Sequence, residues 1–557
     1  MQKQPGFAPA LVRLAVLLAL VASAFAWGGL VPTTTAAPAP APILLIVNDA
    51  APNPFGRYLG EILRAEGLPA FDVLPLASLT AADLAAHHLA LLAETPLTAA
   101  QAALLSSYVH GGGRLLAMRP DPQIAPLFGL TPSGTSQHDG YLRLDPAQPL
   151  ARGLPSLTLQ IHGEVSHYTL TGATPLATLY STQTNPTPYP AIVTASAGSG
   201  TSAAFAFDLA RNVVLMRQGN PANANRDSDG DGVLRTIDLF QSSTPGGPPW
   251  VDRDRISIPQ ADVQQRLFAR LLQHLLDGLT PLPRLWYFPG QARTMLVLTG
   301  DAHANPTSYY EQQLASLQAH GGAITLYITI AADPADAQLQ QWRAQGHEAG
   351  IHPPATKPDP YPPYNITSLD QGYQVYSDWF ATRFSSPKSR TVRNHQVAWQ
   401  GWTDAAESAV ARGLALDTNF YHWGPWLQRP DGSWPHGYLT GSGQPMKFVK
   451  ADGTILPYYQ QLTQLVDEQL LGVISGAGYE GLDAAGALAV SRALIDASQA
   501  GDYAALVTQF HVDYYGLGAP QSWAEGTLDY ATSQGVPIWN ADRWLAFVEQ
   551  RNAASYQ

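Results

Sequence analysis

No cysteine occurs anywhere in the 557-residue chain, which excludes disulfides, thiolate metal sites and every mechanism built on a cysteine nucleophile. Charge is also scarce: Asp, Glu, Lys and Arg make up 13% of the residues, about half the ~25% usual in soluble proteins. Basic residues are the minority, 31 against 43 acidic, for a net charge of −12. Such a chain gains nothing from displacing counterions, so neither nucleic acid nor an anionic membrane surface is an expected partner. Apolar residues, at 45%, suffice for ordinary interiors, while 48 Gly and 46 Pro imply long ordered loops. The 13 Trp and 24 Tyr offer rings on which sugars can stack. A chain of this length exceeds one core, so two domains behind a leader are expected.

Lys3 and Arg13 precede an apolar run over residues 14–26, and Ala24-Phe25-Ala26 has the small residues of a cleavage site. This is the pattern of a signal peptide over residues 1–26, and it predicts a secreted, periplasmic or cell-surface protein. Left uncleaved, residues 14–31 would instead anchor the chain in a membrane. Residues 27–42, rich in Pro, Thr and Ala, read as an extended linker.

Residues 43–47 (ILLIV), 90–94 and 114–118 read as buried strands, with helical spacing over 55–65 and 97–109 between them. Alternating strands and helices predict a parallel, doubly wound α/β sheet. In this pattern, residues 43–280 resemble the class I glutamine-amidotransferase-like (flavodoxin-like) domains. Those enzymes use a cysteine nucleophile, so glutaminase chemistry is excluded and a binding or packing role is implied. Segments 163–170, 175–182 and 201–207 look β-rich and extend the sheet. Within Asp227-Ser228-Asp229-Gly230-Asp231-Gly232, oxygen ligands fall at alternate positions before a glycine turn, and Asp238 returns a carboxylate at position 12. That spacing is the pattern of a calcium loop over 227–238, with Asp227, Asp229, Asp231, the Val233 carbonyl and Asp238 as ligands and calcium as a structural clamp. Asp in place of Glu at position 12 shortens the closing arm. An amphipathic helix over 258–276 leads to Pro281-Leu282-Pro283, the expected boundary.

The second half, residues 285–557, repeats strand and helix: a buried strand over 294–299, helices over 308–319 and 335–344, and a strand over 323–330. Polar groups gather at strand ends, in Gly300-Asp301-Ala302-His303 and in Gly346-His347-Glu348-Ala349-Gly350-Ile351-His352. Later come Arg393-Asn394-His395, Leu416-Asp417-Thr418-Asn419 and the segment LVTQFH ending at His511. Strand–helix alternation with polar C-terminal strand ends is the grammar of a (β/α) barrel.

These segments resemble, in order, the motifs of the NodB-type polysaccharide deacetylases, carbohydrate esterase family 4. The resemblance implies a barrel, a metal-dependent deacetylase and a polysaccharide substrate. It makes His352 a metal ligand, Arg393 an active-site arginine oriented by Asp417, His511 a general acid, and Asp301 the base. Two family ligands are replaced: Ala302 stands where a metal aspartate belongs, and Thr356 where a second histidine does. His303 and His395 are the replacements on offer, so Asp301, His303, His352 and His395 form the candidate site for zinc or another divalent transition metal. Asp301 fits either base or ligand. His347 is expected to bond backbone, not metal. Trp399, Trp402, Tyr421, Trp423 and Trp426 either line a sugar cleft or pack in the core.

The expectation is an exported metal-dependent hydrolase that removes acetyl groups from a polysaccharide, N-deacetylation first. A non-catalytic carbohydrate-binding protein on a degenerate barrel, or a calcium-stabilised adhesion module, stands as the alternative.

Overall fold

Short, wholly apolar runs such as ILLIV and LALL cannot alternate inward and outward, so they need cover on both faces. The computed structural model, which describes residues 40–244, 246–354, 363–473 and 479–555, gives them that cover. The expected leader, all but the last three residues of the expected linker, and Thr356 lie outside the described residues. Among the described residues, no helix is long and apolar enough to cross a membrane.

The first set of strands is β1 Ile43–Val47, β2 Phe71–Pro75, β3 Leu89–Leu92, β4 Arg114–Met118, β5 Leu130–Leu144, β6 Leu159–Leu170, β7 Thr174–Tyr180, β8 Pro186–Ala197 and β9 Gly200–Phe205. They form one sheet in the order β2-β1-β3-β4-β9-β8-β7-β5-β6. From β2 to β9 the pairing is parallel, in the flavodoxin-type order expected of an α/β sheet. Beyond β9 it turns antiparallel. Helices Tyr58–Ala65 and Ala99–His110 connect the parallel strands, the latter opened by a Thr98–Gln101 capping box.

The second set is β10 Met295–Ala302, β11 Thr325–Ile328, β12 Glu348–Ile351, β13 Thr391–Val392, β14 Leu416–Tyr421, β15 Met446–Val449, β16 Ile455–Thr463, β17 Leu465–Val466, β18 Ala505–Gln509 and β19 Ile538–Asn540. One sheet runs β12-β11-β10-β18-β17, with β19 also on β10, and the other β13-β14-β16-β15. All pairs are parallel except β15 with β16. At one joint Ser389 N donates to Ala349 O (2.8 Å), and at the other Gln464 N donates to Val507 O (3.1 Å). The parallel strands thus surround a common interior as two sheets joined by isolated bonds. Gly300 is required where β10 passes β18, because a Cβ there would collide with the Phe510 carbonyl.

The described residues from 41 to 555 form one compact unit. Buried Arg217 donates to the carbonyls of Gln444 and Gln460, and Tyr58 donates to the Lys447 carbonyl, so the two strand sets are tied through their interiors.

Candidate active site and metal centre

Parallel strands point their C-terminal ends one way, and the loops leaving those ends share a face. Asp301 and His303 leave β10, His352 leaves β12, Arg393 and His395 leave β13, and Tyr421 closes β14. Asp467 and Glu468 leave β17, and His511 and Asp513 follow β18. These residues line or back one cavity of about 390 Å³.

His303, His352 and His395 each bring a ring nitrogen within 4.8 Å of the others. Their ring centroids are 5.0 to 5.4 Å apart. His352 Nδ1 lies 2.9 Å from the Arg393 carbonyl and His303 Nδ1 lies 2.9 Å from an Asp513 oxygen. A carbonyl or carboxylate behind Nδ1 fixes the tautomer and assigns Nε2 to a metal. Asp513 is in turn held by Asn305 Nδ2 at 3.0 Å. Burial opposes the Asp513 charge, but His303 beside it holds the carboxyl down to about 2. Burial pushes His352 down to about 3, against the pull of Asp301, so its imidazole is neutral as a ligand requires. The donor set therefore fits a divalent transition metal.

The loop beyond His395 is strained. Gln396 and Val397 have φ of 58° and 49°, a region costly for any β-branched residue. That strain turns the chain back so that His395, Gln396 and Val397 all face the cavity.

Asp301 stands beside the histidines and outside their close group. Its carboxylate is 3.3 Å from Arg393 Nη1, 3.7 Å from His352 Nε2 and 4.0 Å from His511 Nε2. Burial would raise this carboxyl, yet the charges of Arg393 and His511 beside it help to outweigh that and hold the group below the usual range. Arg393 is completely buried and bonds Gln509, the hydroxyls of Thr299 and Thr463, and the Thr418 carbonyl. The guanidinium that the resemblance pairs with Asp417 is thus paired with Asp301 instead. Asp417 accepts from the Asn419 side chain at 2.6 Å and the Asn419 N–H at 3.1 Å, and burial raises it to about 7. Along β14, the Thr418 carbonyl accepts from the arginine while the Asp417 side chain is turned toward Tyr458.

His511 was placed at a strand end by the sequence, but its partners were not. Its Nδ1 lies 2.8 Å from Asp467, which also accepts the His511 N–H, and its Nε2 lies 3.5 Å from Glu468. Burial alone would lower this imidazole; Asp467, Glu468 and Asp301 together push it up to about 10. Asp467, Glu468 and Asp513 are among the site residues that sequence reasoning missed. The only signal was position, each falling within four residues after a strand.

His347 accepts the Ile324 N–H and is not among the clustered histidines, as expected. Tyr421 and Trp423 line the cavity, whereas Trp399 and Trp402 are core residues at 2% and 7% exposure. Trp426 donates to the Trp423 carbonyl behind the wall.

The Asp-rich loop gathers Asp227, Asp229 and Asp231 within 4.8 Å of one another, a second group that could hold a metal. Asp238, expected to close it, is not among them. Its carboxylate accepts from the N–H groups of Ser228 (3.1 Å) and Arg235 (2.8 Å) and braces the loop. A two-carbon Asp arm is too short to brace the backbone and reach the ion as well. Val233 donates its N–H to Asp231 at 2.9 Å.

No protein-family model and no curated protein matches the chain. Among solved structures, it is similar to Agd3, described as a novel carbohydrate deacetylase, at 13% identity and a TM-score of 0.35, over 91% of this chain and 87% of that one. It is also similar to a candidate polysaccharide deacetylase from Mycobacterium smegmatis, at 12% identity and a TM-score of 0.35, over 50% of this chain and 97% of that one. A cold-adapted β-galactosidase from Rahnella sp. R3 matches at 18% identity and a TM-score of 0.25, over 30% of this chain and 28% of the galactosidase's length. Likenesses this faint carry no weight for activity, which rests on the geometry above.

Proposed function

We propose that this protein is a metal-dependent deacetylase that hydrolyses the acetamide groups of a polysaccharide. The observation that carries this reading is the cavity in which three clustered histidines, two of them backed through Nδ1, face a buried carboxylate and a carboxylate-held imidazole. His303, His352 and His395 would hold the ion, zinc by their chemistry. A divalent metal bound there supplies Lewis acidity, which acidifies water and polarises a carbonyl.

The protein's own groups do the proton work. Asp301, kept ionised and aimed by Arg393, accepts a proton from the water that attacks the acetamide carbon. His511, kept protonated by Asp467 and Glu468, donates to the amide nitrogen so that the C–N bond breaks toward acetate and a free amine. Without that proton the tetrahedral adduct expels water again. Because the acid form of His511 is lost above its pKa, kcat/KM should hold through neutral pH and fall on the alkaline side.

The signal-peptide pattern of residues 1–26 supports an extracytoplasmic setting, where calcium is abundant. Calcium at Asp227, Asp229 and Asp231 is proposed as structural.

The test is acetate release from N-acetylated and O-acetylated oligosaccharides by the full chain, stripped of metal and then reconstituted with zinc. Release is expected only with metal, and not in His352→Ala or His395→Ala. Undiminished release in both variants, or none from any substrate by a zinc-loaded protein, would sink the hydrolase reading. In the latter case, glycan binding without turnover would favour the degenerate-barrel alternative.

A further inference from the structure

Arg235 comes from the Asp-rich loop, far from the strands that build the histidine site, yet it lines the same cavity as His303, His352 and His395. Backbone ties fix it there. Arg235 forms an antiparallel bridge with Ala398, and Trp399 N donates to Leu234 O at 2.8 Å. Next to it, Thr236 Oγ1 donates to the Asn419 carbonyl at 2.8 Å. The arm is therefore pinned to the loop after His395 and to β14.

The guanidinium is anchored on one side. Its Nη2 lies 2.7 Å from Asp231 and its Nη1 lies 3.7 Å from Asp229, while its centre sits 5.5 Å over the Trp423 ring. The side chain is only 6% exposed. Even so, Nε and Nη1 have no hydrogen-bond acceptor among the described residues, and neither does the Trp423 Nε1 beside them. Buried N–H groups almost always find an acceptor, so an orphan set on a cavity wall points to one supplied from outside. Since Asp229 and Asp231 already balance the arginine's charge, the acceptor is better a neutral hydroxyl than a carboxylate.

We propose that Arg235 is a substrate-specificity residue of this cavity, donating from Nε and Nη1 to hydroxyl oxygens of a neutral sugar unit whose face rests on Trp423. That unit neighbours the acetylated sugar at the histidines, so the inference rests on the polysaccharide reading. On this view Asp229 and Asp231 serve first as the anchor of a substrate-binding arm.

The experiment compares wild type, Arg235→Gln and Arg235→Lys in the full chain, with zinc present. Calorimetry measures binding of N-acetylated amino-sugar tetramers, and kinetics compares those tetramers with 4-methylumbelliferyl acetate, which has no neighbouring sugar. Losing a hydrogen bond from a charged donor should weaken tetramer binding and raise KM about tenfold or more. The loss on the tetramer should exceed any loss on the ester, and Lys should restore part of it. Unchanged tetramer binding in Arg235→Gln overturns the proposal, as does an equal loss on both substrates, which marks the arm as structural. If wild type binds tetramers without releasing acetate and Arg235→Gln binds them more weakly, the sugar contact stands and the hydrolase reading fails. If wild type cleaves the ester but binds no tetramer, the hydrolase reading stands and the contact falls.

Discussion

At the histidine cluster, the groups around the ligands are turned to support them: Arg393 O stands behind His352 and Asp513 behind His303. At the Asp-rich loop, the carboxylates are already spoken for. Arg235 pairs with Asp231 and lies near Asp229, and Asp227 accepts the N–H groups of Gly230 and Gly232. The first site is buried and carries its own second row of hydrogen bonds; the second is half open and already holds a protein cation. The difference teaches that a cation site is made by what stands behind its ligands more than by their spacing. The loop has the sharper sequence pattern, and the histidines, spread over some ninety residues, have the better-built site.

The comparison is broken most directly at the second row. Asp513→Asn keeps every histidine but removes the charge behind His303, and such changes cost about 10- to 100-fold in metal affinity. Competition with a zinc-sensitive dye should show that loss, while Asp229→Asn leaves zinc affinity unchanged. Equal zinc affinity in Asp513→Asn and wild type would show that the backing is incidental.

Much of this was legible in the sequence. Strands β1, β3, β4, β10 and β11 announced themselves as apolar runs, and His303 sits just past β10; β13, which carries His395, is only Thr391–Val392 and gave no such signal. The longer antiparallel strands β5 and β8 gave none either, because Gly134, Gly140, Pro186, Pro188 and Pro190 break their pattern and much of their length is exposed. Asp467 and Asp513 were hidden for another reason. Both fall in the first turn of a short helix, where an acidic residue suits the helix dipole and needs no further explanation. Only the placement of β17 against β18 shows that Asp467 meets His511. Likewise, nothing in the spacing of Asp227 to Asp238 reveals that Arg235 folds back among the aspartates.

A smaller effect is expected at the loop itself. If Arg235 and a divalent ion compete for Asp229 and Asp231, then Arg235→Gln should bind calcium more tightly than wild type. These carboxylates are partly exposed, so the gain should be about two- to fivefold, as read by calcium titration calorimetry. Weaker calcium binding in the variant would mean that the arginine shapes the loop for the ion and does not stand in for it.

The smallest effect on activity is expected at Asp417, which marks where the support of the histidine site ends. Arg393 is held by Asp301, Gln509 and three threonines, so Asp417→Asn should leave kcat/KM essentially as in wild type. Stability is where this residue acts. Burial raises its carboxyl to about 7 in the folded protein, above the unfolded value of about 3.9. The folded state therefore binds the proton more tightly, and the contribution is fully present below the unfolded pKa and lost as pH rises through about 7. Melting temperatures of wild type and Asp417→Asn across that range should show wild type losing ground to the variant as pH rises. A constant offset between the two would mean that Asp417 is already ionised in the fold, and a large loss of kcat/KM would return it to the role of orienting Arg393.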